Sequence, residues 1–366
     1  VIKLLIVDDS ALMRRLLTEI FSAAGDFTIE IARNGLEAIA LAESFAPDVI
    51  TLDIHMPGMD GLACLDQIML LRPCPVVMVS SLTAAGANET LDAMALGAVD
   101  FIAKPKGAVS LELEAVAPAL VEKVRAAASA KISLTTRLGE RIRARSGRNQ
   151  MVPASARAKR AQRKPVPLPA PVGDAETGVI LVGCSTGGPP ALDALLGALP
   201  GNCPWPIVIA QHMPATFTGP LARRLDKICA LSVVEVDRPM SIMPGHAYIG
   251  RGDADLLLSR RRGELIAMPA PISSEHYWHP SVERLVESAM RLMAPERLIG
   301  VLMTGMGTDG ANAMTSLKNL GGRTIAESVE TAVVWGMPGA LVTNDGASVV
   351  CPLDRIAKQL LSFVSQ

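Results

Sequence analysis

The stretch Gly178–Pro190, GVILVGCSTGGPP, reads as a buried strand that runs into a tight turn and then a helix. Val179–Val182 is an unbroken apolar run, the pattern of a parallel strand covered on both faces. Gly183 and Gly187 flank Ser185 and admit backbone angles that a side chain would resist. Pro189 and Pro190 suit the first turn of the following helix. A strand that feeds a helix through so short a turn is the β-to-α step of a doubly wound sheet, where reactive groups gather at the strand carboxyl ends.

The same pattern recurs on both sides of this stretch. Downstream, WPIVIAQH (205–212) and RLIGVLMT (297–304) read as further parallel strands. PPALDALLGAL, TGPLARRLD and SVERLVESAMRLM carry apolar residues at helical spacing, and a closing βα region runs to about 363. HAYIGRGDADLLLSRRRGELIAM (246–268) has β character and is expected to form hairpins on the edge of the sheet. Upstream, IKLLIV (2–7), FTIEI (27–31), DVITLD (48–53), PVVMVS (75–80) and DFIA (100–103) alternate with helical periods and close on SLELEAVAPALVEKVRAA. The expected fold class is therefore α/β, with two doubly wound parallel-sheet domains. The first, over 1–130, is a five-stranded flavodoxin-like unit; the second, over 176–366, is larger and carries an antiparallel edge hairpin.

Between them, 131–175 is dense in Lys and Arg, ends in a Pro-rich run and has few large apolar residues. Such a segment cannot bury enough surface to offset its ordering entropy and reads as a flexible linker. A sharper reading gives its basic run an acidic lipid or nucleic acid to bind. The 366 residues carry a net charge of −1, which gives no reason to expect a polyanion-binding protein overall. Six cysteines stand singly, as small buried hydrophobes would in a reducing compartment. The opening VIKLLIVDDS enters a strand at once, and no apolar run reaches about 18 residues, so neither a signal peptide nor a membrane span is expected and a cytoplasmic location is.

At the strand ends of the first half stand Asp8 and Asp9, Asp53, Ser80 and, after the fifth strand, Lys104. In a parallel sheet these ends open on one edge. Three carboxylates together repel, and a hard divalent cation with oxygen ligands relieves that; Mg²⁺ suits. Asp53 then becomes a nucleophile toward a phosphoryl group, with Lys104 a point charge on its oxygens and Ser80 a hydroxyl donor. Taken singly, each would be an ordinary cap or loop acid.

In the second half, Ser185 falls at a helix N-terminus, where free N–H groups and the macrodipole favour a developing anion. That geometry could bind a dinucleotide phosphate, but the spacing is not GxGxxG, and the next strand ends in Gln211-His212 rather than an acid. His212, at the end of that strand, can serve as general base; the bland alternative is a satisfied core histidine. Asp309 lies in LMTGMGTDGANAM (302–314), another Gly-rich strand-to-helix turn, where a carboxylate would fix the imidazole tautomer. The same turn offers the Met306 backbone N–H to an oxyanion. GxSxG also matches the α/β-hydrolase elbow, whose order is Ser, Asp, His. That order would need Asp253 or Asp255 with His276 or His279, which fall in predicted hairpins or loops. Cys184 is expected to lie buried, with no basic neighbour to activate it.

IVDDS, LDIHMPGMDG, MVSS and AKP resemble a response-regulator receiver domain across roughly 1–125. The resemblance implies phosphorylation of Asp53 by a histidine kinase, Mg²⁺ held by Asp8, Asp9 and the His55 carbonyl, and an aromatic reporter at Phe101. GCSTGGPPAL, AQHMP, TGMGTDG and WGMPGA resemble the catalytic domain of the CheB family of chemotaxis receptor methylesterases. That implies a Ser185–His212–Asp309 triad cleaving glutamate γ-methyl esters on chemoreceptor cytoplasmic helices, with some glutamine deamidation, and Thr186 and the Met306 backbone at the active site. It also implies that the unphosphorylated receiver packs over that site. HPSVE (279–283) departs from the family's arginine-led PSV motif, near expected substrate contacts. A transcription regulator would need a DNA-reading helix-turn-helix, and no such pattern is present.

Overall fold

The computed structural model describes residues 1–81, 83–104, 109–131 and 177–365, without the side chains of 84 and 109–116. Of the segment read as a linker, all but Lys131 lies outside the described residues.

The first half is a parallel sheet of β1 (Ile2–Val7), β2 (Phe27–Ala32), β3 (Val49–Asp53), β4 (Val76–Ser80) and β5 (Asp100–Ala103), in the order β2-β1-β3-β4-β5. Its helices are α1 (Ala11–Ala24), α2 (Gly35–Ser44), α3 (Gly61–Leu71), α4 (Ala84–Leu96) and α5 (Val109–Ala128). Local chemistry starts them. Asn34 caps α2 by accepting the Glu37 N–H at 2.9 Å, while Glu37 reaches back to the Arg33 N–H at 2.8 Å, much as in a capping box. Leu4 and Ile6 pack with α1 and α5, while Leu5 and Val7 face the opposite layer, the two-residue alternation of a strand covered on both sides.

The second half holds a seven-stranded, all-parallel sheet in the order β15-β14-β13-β6-β7-β10-β8. Its members are β6 (Val179–Cys184), β7 (Ile207–Gln211), β8 (Ser232–Val236), β10 (His246–Gly250), β13 (Leu298–Leu302), β14 (Arg323–Glu327) and β15 (Val349–Cys351). Helices α6 (Gly188–Ala198), α7 (Ala215–Ile228) and α11 (Leu353–Val364) cover one face. The other face takes α8 (Val282–Met290), α9 (Ala311–Asn319) and α10 (Met337–Thr343). The expected hairpin exists, as β11 (Asp255–Arg261) with β12 (Glu264–Ala270). It pairs with β9 (Met240–Ser241) in a separate sheet of three strands, whereas β10 enters the main sheet between β7 and β8. The hairpin's apolar Leu256, Leu258 and Leu265 explain this, since they bury against Val208 and Tyr248 on the face of the main sheet. They do not extend its edge.

The halves are packed together. Phe101 of β5 lies 4.2 Å, ring to ring, from Phe217 of α7. Arg224 of α7 donates to the Leu91 carbonyl at 3.2 Å and pairs with Asp193 at 2.9 Å. One buried apolar cluster runs from Leu5 and Met94 of the first half through Phe101 to Phe217 and Leu221 of the second.

Candidate active site

At the carboxyl edge of the first sheet, Asp8, Asp9 and Asp53 bring carboxylate oxygens within 4.8 Å of one another. Asp8 and Asp53 are buried, and Lys104 Nζ reaches both, at 3.2 Å and 2.7 Å. Burial, then the Asp53 charge, hold the Asp8 carboxyl above its ordinary value, although Lys104 pulls the other way. Burial opposes the Lys104 charge, but Asp53 and then Asp8 outweigh it, and the ammonium is held more firmly than usual. One lysine thus pairs with two of three clustered acids, and the buried Asp8 Oδ2 has no closer partner among the described residues than the Lys104 ammonium at 3.2 Å. This all-oxygen, over-negative donor set fits a hard divalent cation. Ser80 Oγ is buried beside it, 2.8 Å from Thr90 Oγ1. The His55 N–H donates to Asp53 at 3.3 Å, and its ring turns away to Glu89 at 3.2 Å.

In the second sheet, β13, β6 and β7 are neighbours, and their carboxyl ends carry Asp309, Ser185 and His212. The chain steps from β6 to β7 on one side and, later, from β13 to β14 on the other, so the direction of winding reverses between β6 and β13. This is the switch-point crevice where open α/β sheets bind ligands. Cys184 and Gln211 are register partners, and the His212 N–H donates to the Cys184 carbonyl at 3.1 Å, so Ser185 and His212 follow side by side. His212 Nε2 meets Asp309 Oδ2 at 2.8 Å, with both side chains less than a tenth exposed. Its Nδ1 is buried without a partner among the described residues. Burial works to raise the Asp309 carboxyl, but His212 and the N–H groups of Val282 (2.7 Å) and Glu283 (3.1 Å) hold it below its ordinary value. Those two N–H groups open α8, whose N-terminus therefore stabilises a carboxylate. In return, Glu283 accepts the Asn312 and Ala313 N–H groups at the start of α9, at 2.9 and 2.6 Å.

The turn after β6 is tightly held. Ser185 N–H donates to Thr304 O at 3.0 Å, and the Gln211 amide braces Ser185 O at 3.0 Å. A Cβ on Gly188 would fall 1.9 Å from Gln211 Oε1, and one on Gly305 would fall 2.9 Å from Ser185 Cβ. A side chain at either position would require Gln211 or the Ser185 turn to move.

A family model for CheB methylesterase matches residues 180–360, and one for the response regulator receiver domain matches 4–115. The protein-glutamate methylesterase/protein-glutamine glutaminase 2 of Rhodopseudomonas palustris is 54% identical, over 99% of this chain and 98% of its own. The chain belongs to the CheB methylesterase family. The corresponding enzyme numbered 3 of Rhodospirillum rubrum is 51% identical over 100% of this chain and 96% of its own. The Thermotoga maritima CheB methylesterase catalytic domain, a solved structure, is 36% identical over 51% of this chain and 98% of its own, with a TM-score of 0.49.

In this CheB-family chain the sites expected from the sequence assemble unevenly. His212 and Asp309 are joined; Ser185 stands beside them, but its Oγ makes no hydrogen bond to His212. Catalytic contacts of this kind often close only when substrate binds. Thr186 is buried, and its hydroxyl turns from the catalytic rim to the receiver, 2.5 Å from Asp100 Oδ2. The Gly187 N–H likewise donates to Val99 O at 3.2 Å. Cys184 is fully buried, and burial followed by the Glu327 charge pushes its thiol well up, so it stays protonated. Asp255 and His279 do meet, at 2.8 Å, but their other partners are Ser273, Ser281 and Arg284 rather than the Ser185 turn. Sequence reasoning missed Asp100, Glu327 and Trp278. Trp278 stacks on the His212 ring with centroids 5.7 Å apart and planes 11° from parallel. In a chain with 3% aromatic residues, the adjacent pair Tyr277-Trp278 was the available signal.

Proposed function

We propose that this chain hydrolyses glutamate γ-methyl esters on the cytoplasmic helices of chemoreceptors, and deamidates glutamines there, under control of phosphorylation at Asp53. The observation that carries the reading is the His212–Asp309 contact of 2.8 Å on strand ends flanking Ser185. Its location would be cytoplasmic, where such receptor segments lie; among the described residues no helix is long and apolar enough to cross a membrane. The working units are a receiver over 1–130 and a catalytic domain over 176–366, joined by the basic segment 131–175.

The mechanism follows from which atoms are free. Asp309 occupies His212 Nε2, so Nδ1 is the nitrogen left to take the Ser185 proton. Ser185 Oγ attacks the ester carbonyl, and the carbonyl oxygen becomes an anion. The backbone N–H groups of Thr186 and Met306, which hydrogen-bond no described residue, would receive it. Each such donor contributes about 3 kcal/mol to the transition state. The imidazolium, held by Asp309, returns its proton to the methoxide oxygen and methanol leaves. Water then attacks the acyl-enzyme with His212 again as base, releasing the glutamate carboxylate. With glutamine the leaving group is ammonia.

Asp8, Asp9, Asp53 and the His55 carbonyl would hold Mg²⁺ in the receiver, which would neutralise an incoming phosphoryl group. A chemotaxis histidine kinase is the expected donor, Asp53 the acceptor, and Lys104 and Ser80 the contacts to the phosphoryl oxygens. Phe101 ties that pocket to Phe217, and its neighbour Asp100 ties it to Thr186. In this reading the docked receiver covers the rim of the catalytic site, and phosphorylation favours undocking. The test is methanol release from methylated receptor membranes with and without acetyl phosphate, for the whole protein and Ser185→Ala. Equal release by the two proteins would remove the esterase reading.

A further inference from the structure

The loop 271–280 leaves β12, reaches over the carboxyl edge of the main sheet and returns to α8. Both of its ends are tied to one carboxylate. Asp255 is fully buried and accepts the Ser273 N–H at 3.2 Å near the start of the loop, then the Ser281 N–H and His279 Nδ1, each at 2.8 Å, at its end. Arg284 pairs with Asp255 and also donates to the Pro271 carbonyl at 2.8 Å. Burial raises the Asp255 carboxyl, but His279, Ser281 and Arg284 outweigh it and keep it ionised. Nothing in ester hydrolysis needs this cluster, and removing a partner from a buried ion pair is costly.

What the clamped loop carries is Trp278. Its ring lies flat on His212, and its Nε1 is 3.5 Å from where a Cβ on Gly307 would stand. The indole thus closes the gap between the base and the turn that bears Met306. On its outer side it meets Tyr277 edge-on at 4.8 Å, and Tyr277 is 68% exposed. Among the described residues, His212 is held in its plane by Asp309 at one nitrogen alone, Nδ1 having no partner there. A ring held at one point can tilt; a second ring stacked on its face removes that freedom. The face also becomes a site for positive charge, because an indole attracts a cation over its plane.

We infer that Trp278 is the positioning residue of the general base. Clamped through Asp255 and His279, it holds the His212 ring in the plane from which Nδ1 reaches Ser185 and stabilises the imidazolium formed there. The inference rests on the triad reading, and the experiment separates the two. Full-length protein, with Mg²⁺ and acetyl phosphate present, is treated with a small organophosphonate, and the rate of Ser185 phosphonylation is followed by mass spectrometry. This probe needs an activated serine but none of the receptor-binding surface. Trp278→Ala should label about tenfold more slowly than wild type, and Trp278→Phe, which keeps a stacking ring, should recover most of that rate. In methylated-receptor assays the loss should fall on kcat with KM little changed. His279→Ala should slow labelling less, and adding it to Trp278→Ala should cost nothing more, because both act through one ring. Circular dichroism and thermal melting keep the comparison to folded protein. Wild-type labelling by Trp278→Ala, or a change confined to KM, overturns the inference and makes the indole a substrate wall. Failure of the wild type itself to label would instead strike the triad reading.

Discussion

Asp100→Ala tests the coupling between the halves most directly. Asp100 opens β5, one residue before Phe101; its Oδ2 holds the Thr186 hydroxyl at 2.5 Å and its Oδ1 holds Lys123 Nζ at 3.1 Å. Both Asp100 and Thr186 are buried, at 5% and 2% exposure, so water does not substitute for the bond while the halves are docked. A hydrogen bond with one charged partner contributes about 1.5–3 kcal/mol net. At about 1.4 kcal/mol per factor of ten, its loss lowers the docked-to-undocked ratio by about 10- to 150-fold. For a resting ratio of about 100 to 1, the undocked share would rise from about 1% to between about 9% and 60%. Ester hydrolysis without a phosphodonor should therefore increase by about 10- to 60-fold, towards the phosphorylated rate.

The assay is methanol release from methylated receptor membranes without phosphodonor, against a Ser185→Ala blank. Asp100→Asn keeps a neutral acceptor in place and should fall between wild type and Asp100→Ala. Because Asp100 also holds Lys123 and the Phe101 N–H (2.7 Å), receiver integrity is checked by phospho-labelling with acetyl phosphate. Normal labelling together with an unchanged resting rate would refute the reasoning, since the bond would then add nothing to docking.

Asp309→Asn leaves the site's shape but reverses the preferred imidazole tautomer, and kcat should drop by about 10⁴ in the same assay. Because its partners hold the Asp309 carboxyl below 3.8, the stability it adds is present above that value and lost as pH falls through the lowered one. The variant should accordingly lose stability at neutral pH and less of it in acid, read by chemical denaturation. Asp8 behaves in the opposite sense. Its folded value is raised, so the folded form is favoured below 3.8, and that contribution is lost as pH rises through the raised value. Asp8→Asn should therefore raise the receiver's Tm at neutral pH without divalent cation, by about 4–8 °C for each kcal/mol gained. It should also abolish the further rise that Mg²⁺ gives the wild type; a lower Tm would contradict the burial argument. Asp53→Asn should take no phosphate from acetyl phosphate, and its resting rate should not respond to it. A fragment beginning near residue 175 should hydrolyse methylated receptor without phosphodonor, faster than the resting whole protein; equal rates would end the inhibition model.

The strands of the first half were legible within one residue, because parallel strands buried on both faces are short apolar runs such as Leu4–Val7 between polar ends. The positions of the candidate site residues were legible for a related reason. A βα turn puts its chemistry where the apolar run stops, as with Asp53, Ser185 and His212. What stayed hidden depends on meetings that no sequence period encodes. Asp100 and Thr186 are 86 residues apart, and each reads alone as a strand or turn residue. Trp278 sits in a loop whose path is set by Asp255, more than twenty residues upstream. The β11–β12 hairpin was visible as a hairpin, but its separation from the main sheet turned on apolar residues facing a surface not yet built.

The polar chain under the nucleophile explains why control would act by coverage rather than distortion. Thr304 is its hub: its carbonyl takes the Ser185 N–H at 3.0 Å, its hydroxyl donates to the Thr186 carbonyl at 2.8 Å, and its N–H donates to Glu327 Oε2 at 2.8 Å. Glu327 is fully buried, and burial raises its carboxyl, although the Thr304 N–H and the Thr331 hydroxyl oppose that. Every one of these bonds lies within the catalytic domain, and so does the His212–Asp309 contact. Among the described residues, the receiver's hydrogen bonds to this turn are an outer grip, through the Thr186 hydroxyl and the Gly187 N–H. Releasing one or two bonds at the rim would leave the inner set intact, so on the proposed reading the Ser185 turn would keep its shape with the receiver docked or undocked. On that reading phosphorylation would need only to shift an equilibrium of access, which a few kcal/mol can do. Rebuilding a catalytic turn held at three buried points would require far more.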